Sequence, residues 1–109
     1  MGQDLTSRPP KVAAVTGVVY VELHLRHARS LKEKRAALRP VIDSSRRRYR
    51  VAIAEVDHQD LHRRAALEVA AVAASGHVVT EVLDAVERLI WSAGDLEVLE
   101  ARRTFLEEA

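Results

Sequence analysis

The segment VTGVVYVELHL, residues 15–25, constrains the fold of this chain most strongly. Val19, Val21, Leu23 and Leu25 alternate with Tyr20, Glu22 and His24. Apolar residues in period two define a strand with one buried face and one free face. Val18 interrupts the polar row on the free face. The spacing then changes. Residues 30–49 carry apolar side chains at helical intervals, and Ser30 followed by Glu33 is a capping-box signature at their start. Residues 51–56 and 64–74 read as two further strands. A second helix is predicted over residues 76–92, with Ser75 as its cap. Its Val78, Val79, Val82, Leu83, Val86, Leu89 and Ile90 follow the i, i+3, i+4 rule. Residues 96–106 form the last strand.

The predicted order is β-α-β-β-α-β. Half-polar strands and amphipathic helices in that order suit an α+β, ferredoxin-like sandwich: a four-stranded antiparallel sheet with two helices on one face. The other sheet face is left open, with Tyr20, Glu22, His24 and Glu68 expected on it. A chain of 109 residues fits one such domain. Residues 14–109 are assigned to it, and residues 1–13, with Pro9 and Pro10, are expected to be a flexible leader. Aromatics are 4% of the chain, so the core must come from Val, Leu, Ala and Ile. The absence of Cys excludes disulfides and thiolate chemistry. No apolar run is long enough to span a bilayer, which gives a cytoplasmic expectation and no membrane partner.

Charge is divided unevenly. Residues 1–50 hold 12 Lys and Arg against 4 Asp and Glu, a net of +8. Residues 51–109 hold 5 against 12, a net of −7. Such asymmetry points to an anionic partner, or else to pairing between the two halves. On a helical wheel, Leu31, Leu38, Val41, Ile42, Ser45 and Tyr49 share a broad core arc. Lys32, Arg35, Arg39, Asp43, Arg46 and Arg50 share a narrow arc almost opposite. This stripe could meet the phosphates of a nucleic-acid strand, or be no more than a solvated face. Lys34 falls near the core arc, where its stem can pack while its amine reaches outward. Pro40 is expected to kink the helix or divide it into two stacked pieces.

The stretches ARSLKEKRAALRPVID, VAIAEVDHQDLHRRAALEVAAV and VLDAVER resemble the YlxP-like family of small bacterial proteins across residues 15–104. The resemblance rests on Ser30, Leu31, Lys32, Lys34 and Arg35, then Glu55, Asp57, Gln59, Asp60 and Arg64. It implies a ferredoxin-like fold and a genomic neighbourhood of translation-initiation and ribosome-maturation factors. A ribosomal subunit or ribosomal RNA is therefore the implied partner, and no activity comes with the resemblance. His62 and Arg63 stand where family members often have an aromatic residue and Gln, a departure that argues against a stacking role for this loop.

Other chemistries have weaker support. His58 and His62 are four residues apart, but the segment reads as a strand end and loop rather than a metal-binding helix. Glu55 and Asp57 are read on opposite sheet faces if both lie in the strand, with Asp57 beyond its end as the alternative, and neither reading favours a catalytic carboxylate pair. No nucleophile motif or phosphate-cradling glycine loop is present. The chain is thus expected to be non-enzymatic, without metal or cofactor. Tyr20 alone offers an aromatic ring to the open face, so any RNA contact should be made to the backbone. Trp91 falls on the polar side of the second helix and either folds back onto the last strand or serves a partner. The alternative function is a homodimer or interaction module that uses the open sheet face.

Overall fold

A computed structural model describes residues 14–107; the expected leader lies outside the described residues. Six elements follow in the predicted order: β1 (Val15–His24), α1 (Leu31–Tyr49), β2 (Ala52–Asp57), β3 (Arg64–Ala73), α2 (Gly76–Ser92) and β4 (Glu97–Glu107). The strands lie in the order β2-β3-β1-β4, and every neighbouring pair is antiparallel. This is the ferredoxin-like sheet, with both helices on one face. Strand ends differ from the sequence reading by one residue, as terminal positions do when the last pairing decides them.

β1 is an inner strand, with β3 on one side and β4 on the other. It pairs with β3 along all ten residues, Val15 opposite Ala73 to His24 opposite Arg64. Val19, Val21 and Leu23 face the helices with Val69, Leu67 and Ile53 from the neighbouring strands, all buried. α2 covers them with Val79, Leu83, Val86 and Ile90, each fully inaccessible. Ser75 caps that helix by accepting from the Val78 amide at 3.3 Å.

Gly17 permits α2 to approach the sheet this closely. A Cβ built there would lie 2.5 Å from Val79 Cγ1 and 3.0 Å from both Leu83 Cδ1 and Phe105 Cε2. Val79 and Leu83 are buried and cannot swing away. Gly17→Ala should therefore destabilise the domain by about 1–3 kcal/mol through overpacking. Chemical denaturation checks this, and an unchanged midpoint would mean that α2 can shift freely.

α1 shows where the helical wheel was incomplete. Ser30 Oγ accepts from the Glu33 amide at 3.1 Å, and Glu33 Oε1 accepts from the Arg29 amide at 2.7 Å. The predicted Ser30 cap is present, but the return bond from Glu33 goes to the amide one residue before the cap instead of to the Ser30 amide of a capping box. The helix runs as one piece through Pro40, so the two-piece alternative does not occur. Pro40 and Ala36, the residue whose carbonyl loses its helical bond, are both exposed. Leu38, Val41 and Ser45 are buried as expected, with Ile42 and Tyr49 packed at the margin. Leu31 instead stays 36% exposed, while Lys34 occupies the core at 1%. Arg50 terminates the helix in a left-handed conformation, φ 54°, and its amide donates to the Arg46 carbonyl.

Candidate functional site

The basic stripe survives folding, shortened at its end. Lys32, Arg35, Arg39 and Arg46 are exposed along one side of α1. They span about 21 Å at 1.5 Å per residue. Arg50 is exposed too, but its left-handed backbone takes it out of the helical repeat. Between this side of the helix and β2 lies a groove of about 350 Å³. Arg35, Arg39 and Arg46 rim it, Leu38, Ile42 and Ala54 form apolar lining, and Asp43 and Glu55 also reach it. Among the described residues β2 pairs with β3 alone, so the groove follows a sheet edge.

Arg46 is partly committed. Its Nη2 donates to the Ile53 carbonyl on β2 at 2.9 Å, which ties the helix to the edge strand. The remaining cations stand apart from the protein's own carboxylates. Among the described residues, no salt bridge includes Lys32, Arg35, Arg39, Arg46 or Arg50. Several carboxylates of the acidic half pair elsewhere. Asp84 and Glu87 of α2 bind Arg103 of β4 at 2.7 and 2.9 Å, and Glu100 binds Arg102 at 3.2 Å. Pairing between the halves is confined to sites such as Lys34–Glu55 and Arg64–Glu22. It does not neutralise the stripe.

Lys34 is the principal residue that the wheel misplaced. Its amine does not reach outward. Nζ lies 2.5 Å from Glu55 Oε2 and donates to the carbonyls of His58 and Leu61 at 2.6 and 2.7 Å. An ammonium has three protons, and here it meets three acceptors. Because two of them are backbone carbonyls of the segment between β2 and β3, α1 holds that connection directly. The Leu61 amide closes a turn onto the His58 carbonyl at 3.0 Å. Farther along, the Arg63 carbonyl accepts from the Leu25 amide at 2.9 Å, and Arg63 Nε donates to the Ala28 carbonyl at 3.3 Å.

A second hub fixes the same connection from the open face. Glu22, on β1, is 8% exposed. Its Oε1 accepts from the Tyr20 hydroxyl at 2.7 Å. Its Oε2 accepts from Arg64 Nη2 and from His58 Nε2, the latter at 2.7 Å. A carboxylate only accepts, so the His58 proton is on Nε2. His58 itself has φ 62°, a left-handed conformation uncommon outside glycine, and its amide donates to Asp57 Oδ1 at 2.7 Å. The bond from Tyr20, reinforced by Arg64 and His58, holds the Glu22 carboxyl below the usual carboxylate range despite its burial. The same bond raises the Tyr20 phenol.

These contacts assign most of the motif residues to anchoring. Glu55 and Arg64 serve the two hubs, and Gln59 Nε2 reaches the Glu55 carbonyl at 3.5 Å. Asp60 and His62 are exposed at the surface of the loop. Glu55 and Asp57 do face opposite sides, but simple alternation is not the cause. Residues two apart in a regular strand share a face. The ladder shifts between them, setting Glu55 opposite Leu67 and Asp57 opposite Ala66. The bulge therefore sends one carboxylate to Lys34 and the other to the open face. Among the described residues, no three His, Asp or Glu side chains converge on a possible metal position.

Glu22→Gln removes the anionic acceptor shared by Tyr20, His58 and Arg64. It should cost about 2–4 kcal/mol at neutral pH. The pH dependence has a definite sign. A carboxyl with a lowered folded-state pKa contributes stability above its unfolded value, near pH ~4.3, and loses it as the pH falls through the folded value. Denaturation at neutral and acid pH should show a smaller acid loss in Glu22→Gln than in the unaltered chain. Equal losses would place the acid sensitivity elsewhere.

Open-face aromatics are not free for stacking. Arg102 lies over the Tyr20 ring, 4.6 Å from its centroid, while the hydroxyl is held by Glu22. Trp91 remains 63% exposed instead of being covered by β4.

The chain belongs to a family described as "Protein of unknown function (DUF503)", whose model matches residues 16–103. Comparison with curated proteins gives no match. Two de novo designs are similar in fold. The designed protein Foldit4 is 12% identical, with a TM-score of 0.51 over 84% of this chain and 96% of its own. The designed ferredoxin-fold protein LFR1 1 is 14% identical, with a TM-score of 0.52 over 86% of this chain and 85% of its own. At these identities the likeness concerns the fold alone. No described helix is long and apolar enough to cross a membrane.

Proposed function

We propose that this DUF503-family protein is a non-enzymatic RNA-binding factor that takes a phosphate backbone along the groove between α1 and β2. The observation that carries the reading is the run of exposed cations Lys32, Arg35 and Arg39, none paired with a carboxylate of the described chain. Arg46 adds a positive rim beyond them while holding the groove's two walls together. Guanidinium groups offer paired donors to phosphate oxygens, and each contact releases condensed counterions. Tyr20 is occupied on its hydroxyl and on its face, so the recognition is of backbone rather than stacked bases. The resemblance to YlxP-like proteins supports ribosomal RNA as the specific source. The anchored loop and the Glu22 hub act as scaffold, since their polar groups bind one another.

Sucrose-gradient fractionation of lysate tests the assignment. The protein should travel with ribosomal subunits at low salt and move to the top of the gradient as salt rises. A protein that remains at the top at every salt concentration contradicts it.

A further inference from the structure

We propose that β4 is a homodimer edge, at which two copies join their sheets into one antiparallel eight-stranded sheet. β4 and the groove-forming β2 are opposite edges of the sheet, so this surface is independent of the RNA-binding reading. β4 has β1 on one side and no described strand on the other over its eleven residues. An edge of that length presents a row of unpaired backbone groups that a second strand can satisfy. The opposite edge is much less available: β2 has six residues, and Arg46 already binds its Ile53 carbonyl.

Side chains beside β4 favour a second copy as the occupant. Leu99, Phe105 and Leu106 are 48%, 45% and 60% exposed on the strand itself. Trp91 belongs to the same flank. At 100° per residue it falls within about 60° of Asp84 and Glu87 on α2. Those two residues reach over to Arg103 of β4. The exposed indole is therefore on the β4 side of α2, one turn beyond Glu87. A large aromatic ring beside an unpaired strand is the type of residue that contributes most to interfaces.

Charge sets the register. Glu100 and Arg102 lie on the open face, opposite Glu22 and Tyr20 of β1, with Ala101 between them. A two-fold axis through Ala101 places Glu100 of each copy opposite Arg102 of the other. Opposite charges directly across an antiparallel pair attract, and like charges there repel. Charges that would deter pairing with an arbitrary strand thus favour this chain's own copy. The small Ala101 pair at the axis leaves space on the helix side beside the two Trp91 rings.

Light scattering or sedimentation of the purified chain should show a dimer. Glu100→Arg and Arg102→Glu should each produce a folded monomer, because each places like charges across the axis. An equimolar mixture of these two variants should recover the dimer, since Arg in one chain then meets Glu in the other at both positions. Trp91→Ala should weaken the dimer at least tenfold and carries the test if either reversal fails to fold. A monomeric unaltered chain, single reversals that dimerise normally, or a mixture that stays monomeric would each overturn the proposal.

Discussion

Lys34→Met should destabilise the domain by about 3–5 kcal/mol, the range for breaking a buried ion pair by removing one partner. Methionine preserves most of the stem volume, so little of the loss comes from a cavity. The cost arises from the acceptors left behind. Glu55 loses its cation, and the His58 and Leu61 carbonyls lose their donor. Glu55 is 21% exposed and can recover some hydration, whereas the carbonyls require the loop to move. The effect should therefore concentrate in the β2–β3 connection. Hydrogen exchange should accelerate at Leu61 more than at the β1 amides, alongside a lower denaturation midpoint. A loss below about 1 kcal/mol with Leu61 protection unchanged would remove Lys34 from the role assigned to it.

Reversal of the stripe should affect binding rather than stability. Lys32→Glu/Arg35→Glu/Arg39→Glu alters three exposed residues that hold no salt bridge among the described residues, so the fold should persist. If each phosphate contact contributes about 1 kcal/mol, affinity for structured RNA should fall by at least ~10²-fold. Arg46 is excluded from this variant because it binds the Ile53 carbonyl, and its loss would confuse binding with folding. Titration of a labelled RNA helix, with circular dichroism as the folding control, measures the change. A folded variant with unaltered affinity would place the RNA surface elsewhere.

Architecture was legible because its signals were local and repeated. The alternation of Val19, Val21 and Leu23 predicted the central strand's buried face, and Ser30 with Glu33 marked the start of α1. The stripe was legible for the same reason, since helical angle follows from spacing. The hubs were not, because they depend on pairing across the sheet. Glu22 and Arg64 are 42 positions apart and meet only when β1 lies against β3. Lys34 gave a partial signal, a cation in the core arc of a helix, and Glu55 stood in the second motif. Joining them required the bulge that turns Glu55 away from Asp57. Composition likewise showed a charge imbalance without showing which carboxylates were already occupied.

The most direct test of backbone recognition is the salt dependence of RNA affinity. Each phosphate contact contributes about −0.7 to −0.9 to the slope of log K against log salt. With Lys32, Arg35 and Arg39 engaged, the slope should be about −2 or steeper, and the three-site reversal should bring it close to zero. Tight binding with a flat slope, or a slope that the reversal leaves intact, would contradict the assignment of the α1 groove as the phosphate-binding surface.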